Sequence, residues 1–311
     1  MALIDLQNEM LHTAELSRHA IDDPDTAYLS VHLNKVTGSR LVPGFHVDTK
    51  ELEDGIRADI TLDEGVIIPK TVHMCFGVMP ETGVQRIIMN VLLKKNSSIS
   101  IRAHCVFPNA LDIIHKMDAE IILEEGAKYH YEETHVHGNT GGIQVIPKAI
   151  VTLGKNAKFK TDFNLLEGRV GKIDIDYHTD CGEGSVLEMN ARIYGKADDY
   201  IKISESGALL GKNSRGVLTS YIAVRDNAKA EIYNKLTANA PGARGHVDCK
   251  EIIKDNATAQ AVPVVEVNNP KAHITHEAAL GAVDSRQLET LMARGLNEDE
   301  ATDLIISGLL S

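Results

Sequence analysis

Two kinds of hydrophobic spacing divide the chain. At its start, Leu3, Leu6, Met10, Leu11 and Leu16 recur at helical intervals, which predicts a helix to about residue 21, closed by Asp22-Asp23-Pro24. From about residue 28 to 268 the helical period vanishes. Short segments rich in Val, Ile, Thr and Tyr replace it, separated by turn residues, as β-strands require. The helical pattern then returns. Asp284 and Gln287 have the spacing of a capped helix start, and Leu288, Leu291 and Met292 share one face. Gly295 stops that helix, and Asn297 with Glu300 repeats the cap ahead of Leu304, Ile305, Leu309 and Leu310. The resulting helical hairpin is too short to hold a core alone. Its apolar face must bury against the rest of the chain or against another protein.

The turns have a longer rhythm. Asn or Gly followed by Ala or Ser occurs at Asn96-Ser97, Gly126-Ala127, Asn156-Ala157, Gly184-Ser185, Gly207-Ala208, Asn227-Ala228 and Asn256-Ala257, in steps of 30, 30, 28, 23, 20 and 29 residues. Asn and Gly tolerate the left-handed backbone of a tight corner, and a small residue after it lets a neighbouring coil approach. Strand-built repeats of this length predict a solenoid, here a parallel β-helix whose stacked coils share one core. A sandwich of hairpins would show strands about every 8 to 12 residues and no longer beat. The expected organisation is an N-terminal helical or mixed segment over 1–65, a β-helix core over 66–268 and a helical region over 269–311.

Composition narrows the function. Of 311 residues, 43% are hydrophobic and 24% charged, which suits a soluble folded protein. With 32 basic against 44 acidic residues the net charge is −12, which argues against nucleic acid as a partner. No long apolar run and no basic leader is present, so neither a membrane span nor secretion is expected, and a cytoplasmic location is. Gly207-Ala208-Leu209-Leu210-Gly211-Lys212-Asn213 resembles a nucleotide-binding P-loop but is one residue short and ends in Asn, so no nucleotide is expected on this chain. His276-Glu277 opens like a zinc-protease helix but lacks the second histidine. The absence of Trp weakens a polysaccharide-active β-helix enzyme, the main competing reading.

The four cysteines, Cys75, Cys105, Cys181 and Cys249, are far apart and read as thiols. Cys249 lies among His246, Lys250 and Glu251. A nearby cation favours thiolate, yet on a strand Val247 and Glu251 share the face of Cys249 while Asp248 and Lys250 point the other way. His276 lies 27 residues after Cys249, close to one repeat. Stacked coils could therefore bring Cys249 beside His276 and Glu277, a donor set suited to zinc or an iron–sulfur species. The alternative is a buried cysteine and a surface acidic pair. His130, His135 and His137 cluster too; His135 and His137 share a strand face, as a metal pair or as structural histidines.

The runs ARGHVDCKEIIKDNATAQAVPVVEV and HITHEAALGAVDSRQLETLMARGLNEDEATDLIISGLL resemble the C-terminal half of the SufB/SufD family, scaffold subunits of iron–sulfur cluster assembly. The strand repeats from about Val72 fit the core of that family, and the compact length resembles its archaeal and minimal-system members. The resemblance implies a right-handed parallel β-helix with flanking helices, and a scaffold rather than an enzyme. It implies a transiently bound cluster, [4Fe–4S], on Cys249, with Glu277 and His276 as further metal ligands. It also implies docking of a SufC-like ABC ATPase through the C-terminal helices. Association near the C-terminal coils would give a homodimer, or a heterodimer with a paralogue, that serves apo iron–sulfur proteins as recipients. A structural adaptor for the ATPase, without cluster chemistry, is the remaining alternative. The family's sulfur-receiving cysteine is expected after the Glu125-Gly126-Ala127 turn. The stretch Tyr131–His137 has none, which leaves Cys105, Cys181 or free sulfide as the route for sulfur.

Overall fold

The computed structural model describes residues 3–14 and 22–310, with side chains from residue 8 onward. Among the described residues, helix α1 (Leu3–Thr13) is followed by nineteen strands in two sheets. Leu16 lies outside the described residues. From β5 (Val72–Gly77) to β19 (His273–Ala282), odd-numbered strands run in one sheet and even-numbered strands in the other, so each coil contributes one strand to each sheet. Neighbours in each sheet are parallel and, apart from a shift between Asn164 and Glu167 where β11 (Lys158–Glu167) meets its neighbour, in register, for example β15 (Arg215–Val224) on β17 (Arg244–Ile253) from Arg215 opposite Arg244 to Val224 opposite Ile253. This is the parallel β-solenoid that the turn rhythm predicts.

Period-two alternation sets the inside of the solenoid. In β14 (Tyr200–Leu209), Ile201, Ile203, Glu205, Gly207 and Leu209 face in, and the residues between them face out. The corners explain the beat. Asn96, Asn156 and Asn213 hold positive φ angles of 56°, 56° and 59°, and Gly126, Gly184 and Gly242 continue the same row at 71°, 65° and 72°. Each turn amide donates to the next coil: Asn96 to the carbonyl of Glu125 at 2.9 Å, Gly126 to Lys155 at 2.8 Å, and Asn156 to Glu183 at 2.7 Å. The residues that follow, Ser97, Ala127, Ala157, Ser185, Ser214 and Ala243, are all fully buried. One expected corner is misplaced. Gly207 lies inside β14 with Leu187 and Leu236 against it, and the true member of the row is Asn213-Ser214. Asn227 and Asn256 belong to turns on the opposite side, after Asp226 and Asp255 at φ 61° and 60°.

The stacked region extends past the 66–268 limits expected for it. At its start, the antiparallel pairs β1–β2 (Tyr28–His32, Lys35–Arg40) and β3–β4 (Phe45–Glu51, Gly55–Leu62) close the first coil, and Met10 of α1 packs with Cys75, Met79 and Val106. At its end, β18 (Thr258–Val267) and β19 each have a strand partner on one side only, and β19 falls within the segment expected to be helical. Two helices follow. In α2 (Ser285–Met292) the Asp284 side chain accepts from the Gln287 amide at 2.8 Å. Before α3 (Glu298–Leu310), Asn297 and Glu300 cap each other reciprocally at 2.8 and 2.9 Å. Helix α3 buries Ile306 and Leu310 against Tyr194 and Ala223, while the Tyr194 hydroxyl donates to Asp303 at 2.6 Å and Arg225 pairs with Asp299 at 2.8 Å. Helix α2 buries no residue.

A Cβ on Gly184 would lie 2.3 Å from the Oδ1 of Asn156 and carry a left-handed φ. Gly184→Ala should therefore cost about 1–3 kcal/mol, while Asn156→Gly, which keeps the backbone unstrained, should cost less than about 1 kcal/mol. Chemical denaturation of both variants checks this, and equal midpoints would contradict the corner mechanism.

Candidate functional site

Cys249 sits mid-strand in β17, facing the interior and fully buried, with Val247 and Glu251 on the same face. Its register partners are Ser220 on the preceding coil and Ala278 on the last one. Across the core, Asn234 of β16 (Lys229–Ala238) donates to Ser220 Oγ at 2.7 Å and to the Cys249 sulfur at 3.6 Å. Burial pushes the Cys249 thiol up to about 12, and the Glu251 carboxylate adds to that rise. Burial likewise lifts Glu251 to about 7 and Glu205 to about 8. Lys250 has no part in this environment. It faces out, where it contacts Asp248 at 3.1 Å and the Tyr221 hydroxyl at 3.3 Å, and Tyr221 donates to the same Asp248 oxygen at 2.7 Å.

Several interior polar atoms here have no partner: both carboxyl oxygens of Glu251, Oε2 of Glu205, Oδ1 of Asn234 and the Thr179 hydroxyl. Interior polar atoms are nearly always paired, so these atoms are free to take a hydrogen bond from water or from a bound group. A groove of about 460 Å³ opens beside Glu251 and is walled by Ala278, Leu280 and Leu309.

The coil spacing separates the other two expected ligands. His276 is in register with Val247, two residues before Cys249, and alternation gives it the interior face. Glu277 is in register with Asp248, which puts it on the outer face, away from the thiol. Both are exposed, because no further coil covers the last strand. The structure thus brings His276 to the face of Cys249 and sets Glu277 on the other. Three members of the polar group, Glu205, Ser220 and Asn234, were missed from sequence. The available signal was a polar residue at an inward register, as in Ile201-x-Ile203-x-Glu205.

A second cluster lies deeper. Cys105 of β7 (Ser98–Phe107), His115 of β8 (Asp112–Leu123), and Glu133 and His135 of β9 (Lys128–His137) each offer a ligand atom within 4.8 Å of the others, and all are buried. Cys105 is in register with His135. Burial holds His115, His135 and His137 down at about 3, hence neutral, and lifts Glu133 to about 7. His135 and His137 do share a face, and their rings hydrogen-bond at 3.1 Å, while His130 faces out to Asp162 at 2.7 Å.

Comparison with known proteins gives a consistent result. The SUF-system iron–sulfur cluster assembly SufBD core domain matches residues 81–309. An iron–sulfur cluster assembly SufBD family protein of Methanocaldococcus jannaschii is 39% identical over 267 residues, covering 86% of this chain and 84% of the relative. A namesake in Pyrococcus horikoshii is 38% identical over 277 residues, covering 89% and 84%. A more distant one in Staphylococcus saprophyticus is 25% identical and overlaps 48% of its own length.

The interior carboxyls make stability depend on pH in a set direction. Burial raises Glu205 to about 8 from the ordinary glutamate value of 4.5. Its neutral form therefore contributes stability fully below the lower value, and that contribution is lost as pH rises through the upper one. Glu205→Gln removes the loss. Relative to the unsubstituted chain it should gain on the order of 1–3 kcal/mol between about pH 6 and about pH 9 in denaturant titrations. A difference that stays flat with pH would contradict the buried neutral carboxyl.

Proposed function

Since the chain belongs to the SufBD family of iron–sulfur cluster assembly proteins, we propose that it is a cytoplasmic scaffold on which a cluster, a [4Fe–4S] unit, is built at the open C-terminal coil. One observation carries this reading: a buried thiol, among interior polar atoms that lack partners, one coil from the uncovered end. Cys249 binds iron as thiolate. The free thiol is held far on the protonated side, so iron itself must draw the proton off, as a bound cation does for a coordinating thiol. That keeps the empty site inert and couples thiolate formation to metal arrival.

His276 adds a nitrogen from the same face. Glu277, on the outer face of the same strand, reaches the cluster across the seam between two copies of the chain, or between this chain and a paralogue. The uncovered edges of β18 and β19, with Val264, Val267 and Leu280 exposed, support such a seam. Mixed sulfur, nitrogen and oxygen ligation holds a cluster less firmly than four thiolates, which suits handing it to apo recipient proteins.

The energy source is a partner, a SufC-like ABC ATPase. Its proposed dock is the apolar groove of about 390 Å³ between α2 and α3, walled by Leu291, Leu304 and Ile305. Helix α3 is pinned to the solenoid through Ile306, Leu310 and Arg225, so a pull on the helical pair is transmitted to the coils beside Cys249.

Anaerobic reconstitution with iron and sulfide tests the scaffold reading. Cys249→Ala should lose most of the cluster absorption, and normal loading in that variant would favour a purely structural adaptor. Leu304→Glu should abolish co-purification with the ATPase while cluster loading of the isolated chain persists; undiminished co-purification would move the dock elsewhere.

A further inference from the structure

The buried cluster in the middle of the solenoid is separate from the cluster-building end. Glu133, Phe163, Ala191, Ser220 and Cys249 form one inward column, each in register with the next. Four strand spacings therefore separate the two groups, about 19 Å.

The hydrogen bonds around this cluster fix the proton positions on its histidines. Gln85 donates through Nε2 to the carbonyls of Leu33 at 3.0 Å and Gly77 at 3.3 Å. Its Oε1 must then accept, and it does so from His115 Nδ1 at 3.1 Å. The neutral His115 ring is left with a lone pair on Nε2. A second chain does the same for His135. His137 Nδ1 donates to the carbonyl of Arg169 at 2.9 Å, so its Nε2 accepts from His135 Nδ1 at 3.1 Å. The lone pair of His135 then sits on Nε2, 2.6 Å from Glu133 Oε1. Each imidazole is thus tied through its other nitrogen to an acceptor anchored on a backbone carbonyl, the outer-shell pattern that orients metal-ligating histidines. Phe107 and Phe163 wall the rings, with centroids 4.8 Å from His115 and His135 respectively. The Cys105 sulfur lies 3.8 Å from Glu133 Oε1, and Glu133 Oε2 is buried with no partner at all.

We propose that Cys105, His115, Glu133 and His135 form a mononuclear site for a divalent transition-metal ion of the zinc class. One sulfur, two imidazole nitrogens and one carboxylate oxygen make a complete tetrahedral set for such an ion. Two anionic ligands cancel the charge of a divalent cation, so the filled site is neutral inside an apolar solenoid. Tetrahedral donors stand roughly 3.2–3.8 Å apart. The Cys105–Glu133 pair, at 3.8 Å, already meets that spacing; Glu133 and His135, at 2.6 Å, must separate by less than about 1 Å, and every donor lies within 4.8 Å of the others. The ion would tie three strands from both sheets together.

Cobalt(II) is the probe, added to the chelator-stripped, reduced full-length chain. The expected result is one Co²⁺ per chain, with visible bands of tetrahedral intensity and a near-ultraviolet sulfur-to-cobalt band, both displaced by Zn²⁺. Cys105→Ser should lose the sulfur band, Glu133→Gln should weaken binding at least about tenfold, and Cys249→Ser should change neither. Zn²⁺ should raise the melting temperature of the unsubstituted chain. Circular dichroism confirms folding, and Glu133→Gln carries the comparison if Cys105→Ser does not fold. A folded chain that takes up no Co²⁺, a sulfur band that survives Cys105→Ser, or one lost only with Cys249→Ser would overturn the proposal.

Discussion

In-register parallel stacking is the constraint on which the rest of this molecule depends. Each inward side chain lies one strand spacing from its equivalents above and below, about 4.8 Å. A column must therefore be filled by residues that accept one another over many coils. Most columns do so with Ile, Leu, Val and Ala, and one row of corners does so with alternating Asn and Gly. The same rule means that a polar residue placed inward meets only its column neighbours and the opposite sheet.

Two places in the core depart from apolar filling, and they depart differently. Around Cys249 the polar atoms are sparse and several lack partners, as in Glu251 and Asn234. Around Cys105 the groups are dense and mutually ordered, with two hydrogen-bond chains ending on backbone carbonyls. The first kind of site suits a cargo that comes and goes at an uncovered end. The second suits a resident ion. Stacking also decides which charges matter. Lys250 is adjacent to Cys249 in sequence but belongs to the outer surface with Asp248 and Tyr221, so the thiol sees carboxyls rather than an ammonium.

The architecture was legible because corners carry a local backbone requirement that only a few residue types meet. Asn96, Gly126, Asn156 and Gly184 announced themselves that way. Gly207 did not belong to the row because an inward glycine, squeezed by Leu187 and Leu236, looks the same in sequence as a corner glycine. The limits of the solenoid were harder to read, since the short strands over residues 28–62 pair antiparallel and lack the full-coil beat. The position of Cys249 and the sharing of its face by Glu251 followed from alternation alone. Its partners Ser220, Asn234 and Glu205 come from other coils, and nothing local to them signals a common site. The His276–Glu277 pair shows the limit of spacing as evidence. A repeat of 29 residues rather than 27 joins Cys249 to Ala278, and that two-residue difference sets His276 diagonal to the thiol and Glu277 on the reverse face.

The central claim is that iron is assembled on the interior thiol at the uncovered C-terminal coil. Anomalous scattering at the iron absorption edge, from crystals of the anaerobically reconstituted chain, tests it most directly. The account predicts an iron peak within bonding distance of the Cys249 sulfur, close to the last strand and shared with a second copy or a paralogue. Iron bound in the reconstituted chain with no peak near Cys249 would contradict it.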